Sequence, residues 1–121
     1  MKILASIAVL IVALLHGGFL ALEMFFWDHE IGRKVFSMTP EQSAETAVLA
    51  ANQGLYNGFL AAGLLWGLVA GKRDVTIFFL LCVIVAGVFG AVTAKPTIFF
   101  TQATPAIIAL ALTLLTRTKT P

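Results

Sequence analysis

Asn52-Gln53-Gly54-Leu55-Tyr56-Asn57-Gly58 interrupts a run that is otherwise apolar from Ala47 to Ala70. Three carboxamides and a phenol in so short a stretch cost free energy inside a hydrocarbon layer unless they meet one another, a partner helix or water. The run reads as a membrane helix that lines a polar interior, with the other helices closing around it.

Composition points the same way. The chain has 121 residues, of which 60% are hydrophobic and 12% charged, and a mean hydropathy of +0.98. A soluble domain carries about 25% charged residues, so most of this chain is assigned to lipid. Four apolar stretches, at about 20 residues per span, use up most of the length. The expected fold class is all-α: an integral membrane four-helix bundle in one domain. Its spans lie at about 3–27, 46–70, 75–93 and 97–116, with an extramembrane connector over 28–45. The formal charge of +2 then concerns topology and does not indicate nucleic-acid binding. The single cysteine, Cys82, sits in an apolar span, so neither a disulfide framework nor a thiol–metal cluster is expected. No metal and no cofactor are expected.

The first apolar run continues from Ile3 through Leu20 and Met24 to Trp27 without a small-residue cleavage site, and so reads as an anchored helix. Trp27, Arg33 and Lys34 are placed at the headgroup boundary. His29 reads as a solvated loop residue. Thr39 is an expected N-cap with Pro40 in the first helical position and Gln42 three after the cap, a capping box. Lys2, Lys72, Arg73, Arg117 and Lys119 fall on one side of a four-span arrangement, against Arg33, Lys34 and Lys95 on the other. The excess places the termini in the cytoplasm of a multi-pass inner-membrane protein. Glycines and alanines four apart (Gly54, Gly58, Ala62; Gly63, Gly67, Gly71; Gly87, Ala91) permit close helix contact, within the bundle first and in a homo-oligomer second.

At about 1.5 Å per residue from the helix ends nearest the first connector, Glu23, Asn52, Gln53 and Gln102 fall in an outer layer. His16, Tyr56 and Asn57 fall near mid-membrane. His16 and Glu23 are seven apart on one face, and Gln53 and Asn57 four apart. Pro105 cannot donate to the carbonyl of Thr101, beside Gln102. These seven residues are the candidate ligand-binding or proton-coupling set. Each has a plainer reading: Glu23 as a charge at a helix end, His16 as a packed interhelical donor, the amides as glue between helices, Tyr56 as an aromatic contact. No catalytic motif or metal-ligand spacing is present.

Glu23-Met24-Phe25-x-Trp27, Gly32-Arg33-Lys34-x-Phe36, the run Asn52 to Ala61, and Gln102 with Pro105-Ala106 together resemble a bacterial membrane-protein family catalogued as domain of unknown function 1304. The resemblance covers essentially the whole chain and implies a four-helix inner-membrane protein with no assigned activity. The size and the glutamate in the first helix are also similar to small multidrug transporters. Glu23 near the outer end of its helix, and the polar second helix, depart from that pattern. The leading expectation is binding or transport of a small, partly polar molecule in an intramembrane pocket open toward the first connector, coupled to a proton at Glu23 or His16. An intramembrane acid–base enzyme acting on a lipophilic substrate is the alternative, and a structural or accessory subunit the second. The lipid bilayer and a small-molecule ligand are the expected partners.

Overall fold

A computed structural model describes residues 2–116; Arg117 and Lys119, counted above in the charge balance, lie outside the described residues. Among those described, the fold is all-helical, without strands. In chain order come α1 (Lys2–Phe25), α2 (Glu30–Phe36), α3 (Pro40–Val69), α4 (Arg73–Thr93), a π-helical segment (Phe99–Ala103) and α5 (Thr104–Leu115). Two helices, α1 and α4, are long and apolar enough to cross a membrane, and Phe99–Leu115 is a shorter apolar run. The 30-residue α3 is not among them, although a span was expected over 46–70. Asn52, Gln53, Tyr56 and Asn57 lie in its apolar part and lower its hydropathy.

The chain divides into two compact units. One is Leu14–Ala61, holding the second part of α1, α2 and the first part of α3. The connector here is more ordered than its sequence indicates. His29, read as a solvated loop residue, is exposed and also caps α2: its Nδ1 accepts from the Ile31 amide at 3.1 Å. Ser37 ends that helix in the left-handed region, at φ 53°. Gly32 is buried, and any Cβ there would overlap the backbone of Phe26 and Trp27.

The start of α3 follows the expected capping box. The Thr39 amide donates to Gln42 Oε1 at 2.9 Å, and the Gln42 amide donates to Thr39 Oγ1 at 3.1 Å. Two otherwise orphaned donors are satisfied by one reciprocal pair. Thr39→Ala is expected to lower stability by about 1 kcal/mol, read as a lower midpoint of thermal unfolding in detergent. An unchanged midpoint would mean that water replaces the cap at no cost.

The other unit comprises Met1–Ala13 and Ala62–Pro121, as far as they are described. Leu64, Leu80, Val83, Ala103, Ala106 and Ala109 are fully buried in it. Small residues set the helix separation: a Cβ on Gly87 would lie 2.7 Å from the Ala103 amide nitrogen. The turn before α4 uses Gly71 at φ 64°, a conformation glycine adopts without penalty. The expected break at Pro105 takes the form of the π-helical segment just before it. The Thr104 amide reaches back to the Phe99 carbonyl, and the widened turn accommodates the hydrogen bond that proline cannot make.

Candidate functional site

Within the unit Leu14–Ala61, the close approach of α1 and α3 is made by glycine. Gly54 is buried, and a Cβ on it would lie 2.6 Å from Met24 Cγ, 3.1 Å from Glu23 Cβ and 3.2 Å from the Leu20 carbonyl oxygen. One turn on, a Cβ on Gly58 would lie 2.6 Å from Leu20 Cδ1. With the backbones this near, Asn57 Nδ2 donates to Glu23 Oε1 at 2.7 Å, across 34 residues of sequence. The bond is short for N–H···O. Glu23 and Asn57 are both half-buried. No second hydrogen bond from a described residue reaches the Glu23 carboxyl group, which can accept up to about four.

Helical geometry explains which amides join this pair. At about 100° per residue, Ala50, Gly54, Asn57, Gly58 and Ala61 define the side of α3 that faces inward. Asn57 lies about 45° from the centre of that side, Gln53 about 85°, and Tyr56 and Asn52 about 145° and 175°. Accordingly Gln53, Asn52 and Tyr56 are exposed. Asn52 Nδ2 turns to its own helix, donating to the Val48 carbonyl at 2.9 Å. Tyr56, 54% exposed, stacks at a tilt on Phe59. Gln53 and Asn57, four apart, thus straddle the edge of the buried face instead of sharing it.

His16 is fully buried, its ring edge-on to Phe19 at 5.2 Å. Gln102 is half-buried in the π-helical segment and belongs to the other unit. Of the seven candidates, the described hydrogen bonds bring Glu23 and Asn57 together.

Around the connector, two of the three residues placed at the membrane boundary are engaged in specific bonds. Trp27 Nε1 donates to Thr46 Oγ1 at 2.9 Å. Arg33 Nη1 pairs with Asp28 Oδ1 at 3.0 Å, and the fully buried Ser43 donates to the same oxygen at 2.8 Å. Lys34 remains exposed. Asp28, Ser43 and Thr46 escaped the sequence reading; the spacing of Trp27 and Asp28 ahead of a Ser-x-x-Thr pair is a weak signal that only the fold makes legible. Among the described residues, no cluster of three or more His, Cys, Asp or Glu could hold a metal ion.

Residues 10–114 match the model of a family described as Protein of unknown function (DUF1304). The chain belongs to that family. The resemblance drawn from the motifs is therefore borne out, and the match takes in Glu23, the run Asn52 to Gly58, and Gln102. The chain is also similar to Uncharacterized protein YpaA of Lactococcus lactis subsp. lactis (strain IL1403). The two are 32% identical over 114 residues, which cover 91% of this chain and 96% of the relative. No solved structure matches. Membership in the DUF1304 family supplies an unassigned activity, so function has to be argued from the geometry.

Proposed function

We propose that this chain is a four-span inner-membrane protein, a single domain with both termini in the cytoplasm, and that Glu23 with Asn57 binds a small, partly polar molecule, the Glu23 carboxyl group releasing its proton to solvent when a cationic ligand binds. The spans are α1, α3, α4 and the run from Phe99 through α5. Their support is the apolar length of α1 and α4 and the outward exposure of large aliphatic residues such as Val48, Val69 and Val92. Within each unit many large apolar side chains are exposed, as lipid-facing residues would be.

The observation that carries the site is the Glu23 carboxyl group, with one oxygen held by Asn57 and capacity left on the other. Asn57 fixes the rotamer of the acid, and Gly54 and Gly58 keep bulk away from it. A ligand carrying an ammonium or N–H group complements that oxygen, and its apolar remainder suits the helices around it. The groups α3 sets against Glu23, Gly54 and Asn57, carry no charge, so the acid itself decides the charge of the site. Only the carboxylate attracts a cation. Binding should therefore strengthen as pH rises through the titration of Glu23 and weaken as it falls.

The test is equilibrium binding of ethidium, a lipophilic aromatic cation, to detergent-purified protein between about pH 5 and pH 9. Wild type should bind with pH-dependent affinity, and Glu23→Gln, which keeps size and hydrogen bonding, should lose that dependence while remaining folded. Unchanged pH dependence in Glu23→Gln would retire the proposal.

A second reading is favoured by the exposed side of α3. Asn52, Gln53 and Tyr56 facing lipid would be costly, whereas a partner helix could satisfy them. On this reading the face specifies association. The double variant Asn52→Ala, Gln53→Ala should then shift the protein to a smaller species in size-exclusion chromatography with multi-angle scattering. Ethidium binding should stay the same. No change in mass would remove this reading.

A further inference from the structure

A cavity of about 540 Å³ opens in the unit formed by Met1–Ala13 and Ala62–Pro121. Its volume lies in the range of small-molecule sites. The polar part of its wall comes from Lys2, Ser6, Arg73, Thr76, Thr113 and Thr116; the remainder is glycine, alanine, valine and leucine, and among the described residues no carboxylate lines it. Neither Glu23 nor Asn57 contributes.

Arg73 is one of the two cations of this wall. Its Nη2 donates to the carbonyls of Thr113 and Leu114, both at 3.2 Å, which fastens the guanidinium to the end of α5. The same guanidinium carries the one buried side-chain nitrogen or oxygen, among the described residues, that has no hydrogen-bond partner: Nε. Nε is sealed from the cavity, whereas Nη1 makes no hydrogen bond among the described residues and is not sealed, so it is the donor left for an acceptor. Asp74, the nearest acid in sequence, accepts from the Val75 amide at 2.9 Å in the first turn of α4. The ammonium of Lys2 adds a second positive charge to the cavity.

The hydroxyls have a different character. Thr76 donates to the Lys72 carbonyl at 3.3 Å, Thr113 to Ala109 at 2.7 Å and Thr116 to Leu112 at 2.9 Å. With their protons spent on the helices, these oxygens are left as acceptors, ready for a ligand hydroxyl. The wall thus combines cationic donors for an anion with neutral acceptors for alcohol groups, beside an aliphatic surface.

We propose that this cavity binds a hydroxylated phosphate ester of the glycerol phosphate type. Lys2 and Arg73 take the phosphate, and the threonine oxygens take the alcohol. The same chemistry is presented by the headgroup of an anionic phospholipid and by a soluble glycerol phosphate. A phosphate has the charge and the acceptor oxygens that a guanidinium and an ammonium recognise. The cavity shares no lining residue with the Glu23–Asn57 site, and its test does not depend on that reading.

The experiment uses the full chain in mild detergent. Native mass spectrometry measures retention of phosphatidylglycerol against phosphatidylcholine of the same acyl chains, and a thermal-shift titration measures glycerol 3-phosphate. Preferential retention of phosphatidylglycerol is expected, falling by about fivefold in each of Lys2→Gln and Arg73→Gln, one cationic contact apiece. Lys2→Gln lies at an exposed helix start and leaves the fold intact, which separates loss of binding from loss of structure. If glycerol 3-phosphate binds with the same sensitivity to both variants and the lipid does not, the site stands with a soluble ligand. Equal retention of the two lipids, or retention unaffected by either variant, together with no binding of glycerol 3-phosphate, would overturn the assignment.

Discussion

Gly54→Leu is expected to abolish the Glu23–Asn57 hydrogen bond and to lower stability by about 3 kcal/mol or more. The first added carbon would already lie 2.6 Å from Met24 Cγ and 3.2 Å from the Leu20 carbonyl oxygen. Methionine can swing aside at small cost. A backbone carbonyl cannot, so the isobutyl group has to force α1 and α3 apart. Asn57, one turn further along, then loses its 2.7 Å reach to Glu23. Gly17→Ala is the matching control. A Cβ at Gly17 meets nothing within 4 Å, and alanine gains roughly 0.5–1 kcal/mol over glycine within a helix. Thermal unfolding in detergent should place Gly54→Leu well below wild type and Gly17→Ala at or above it. Similar melting of the two variants would refute the close approach of the helices.

The second large effect concerns ethidium binding. Glu23→Leu and Asn57→Leu should each weaken it by about tenfold or more, because one removes the acid and the other the group that orients it. The two losses should not add. With Glu23 already absent, Asn57→Leu has no acid to misplace, and the double variant should bind about as weakly as Glu23→Leu alone. Additive losses would show that Asn57 contacts the ligand in its own right or that the two residues act at separate places.

How far the sequence could be read depended on whether a feature was local. The capping box at Thr39 and Gln42, the helix boundaries near Pro40, Gly71 and Lys95, and the disturbance ahead of Pro105 rest on side chains acting within a few residues, and each was legible. The seven-residue α2 was not. It is too short for periodicity to register, contains Gly32, and is capped by histidine, an unusual choice for that role. At the site, depth along each helix assigned Glu23 to the outer layer and Asn57 to the mid-membrane layer, and the 2.7 Å bond between them crosses that division, because the register of α3 against α1 is set by the contacts of Gly54 and Gly58 and not by where each helix enters the membrane. Rotation was the harder quantity. Placing Gln53 beside Asn57 depended on where the edge of the buried face falls, and Ala50, Gly54 and Ala61 put that edge between the two. Arg73 drew notice only as a topological charge. Its place beside the final carbonyls of α5 depends on contacts across 40 residues, beyond what spacing along the chain can report.

On the proposed function, the Glu23 carboxyl group itself receives the ligand. Infrared difference spectroscopy of the purified protein, recorded before and after saturation with ethidium, observes that group directly. Binding should change the carboxyl and carboxylate bands in wild type, and that change should be absent in Glu23→Gln and altered in Asn57→Leu. Saturation without any carboxyl change in wild type, or the same difference spectrum in Glu23→Gln, would contradict it.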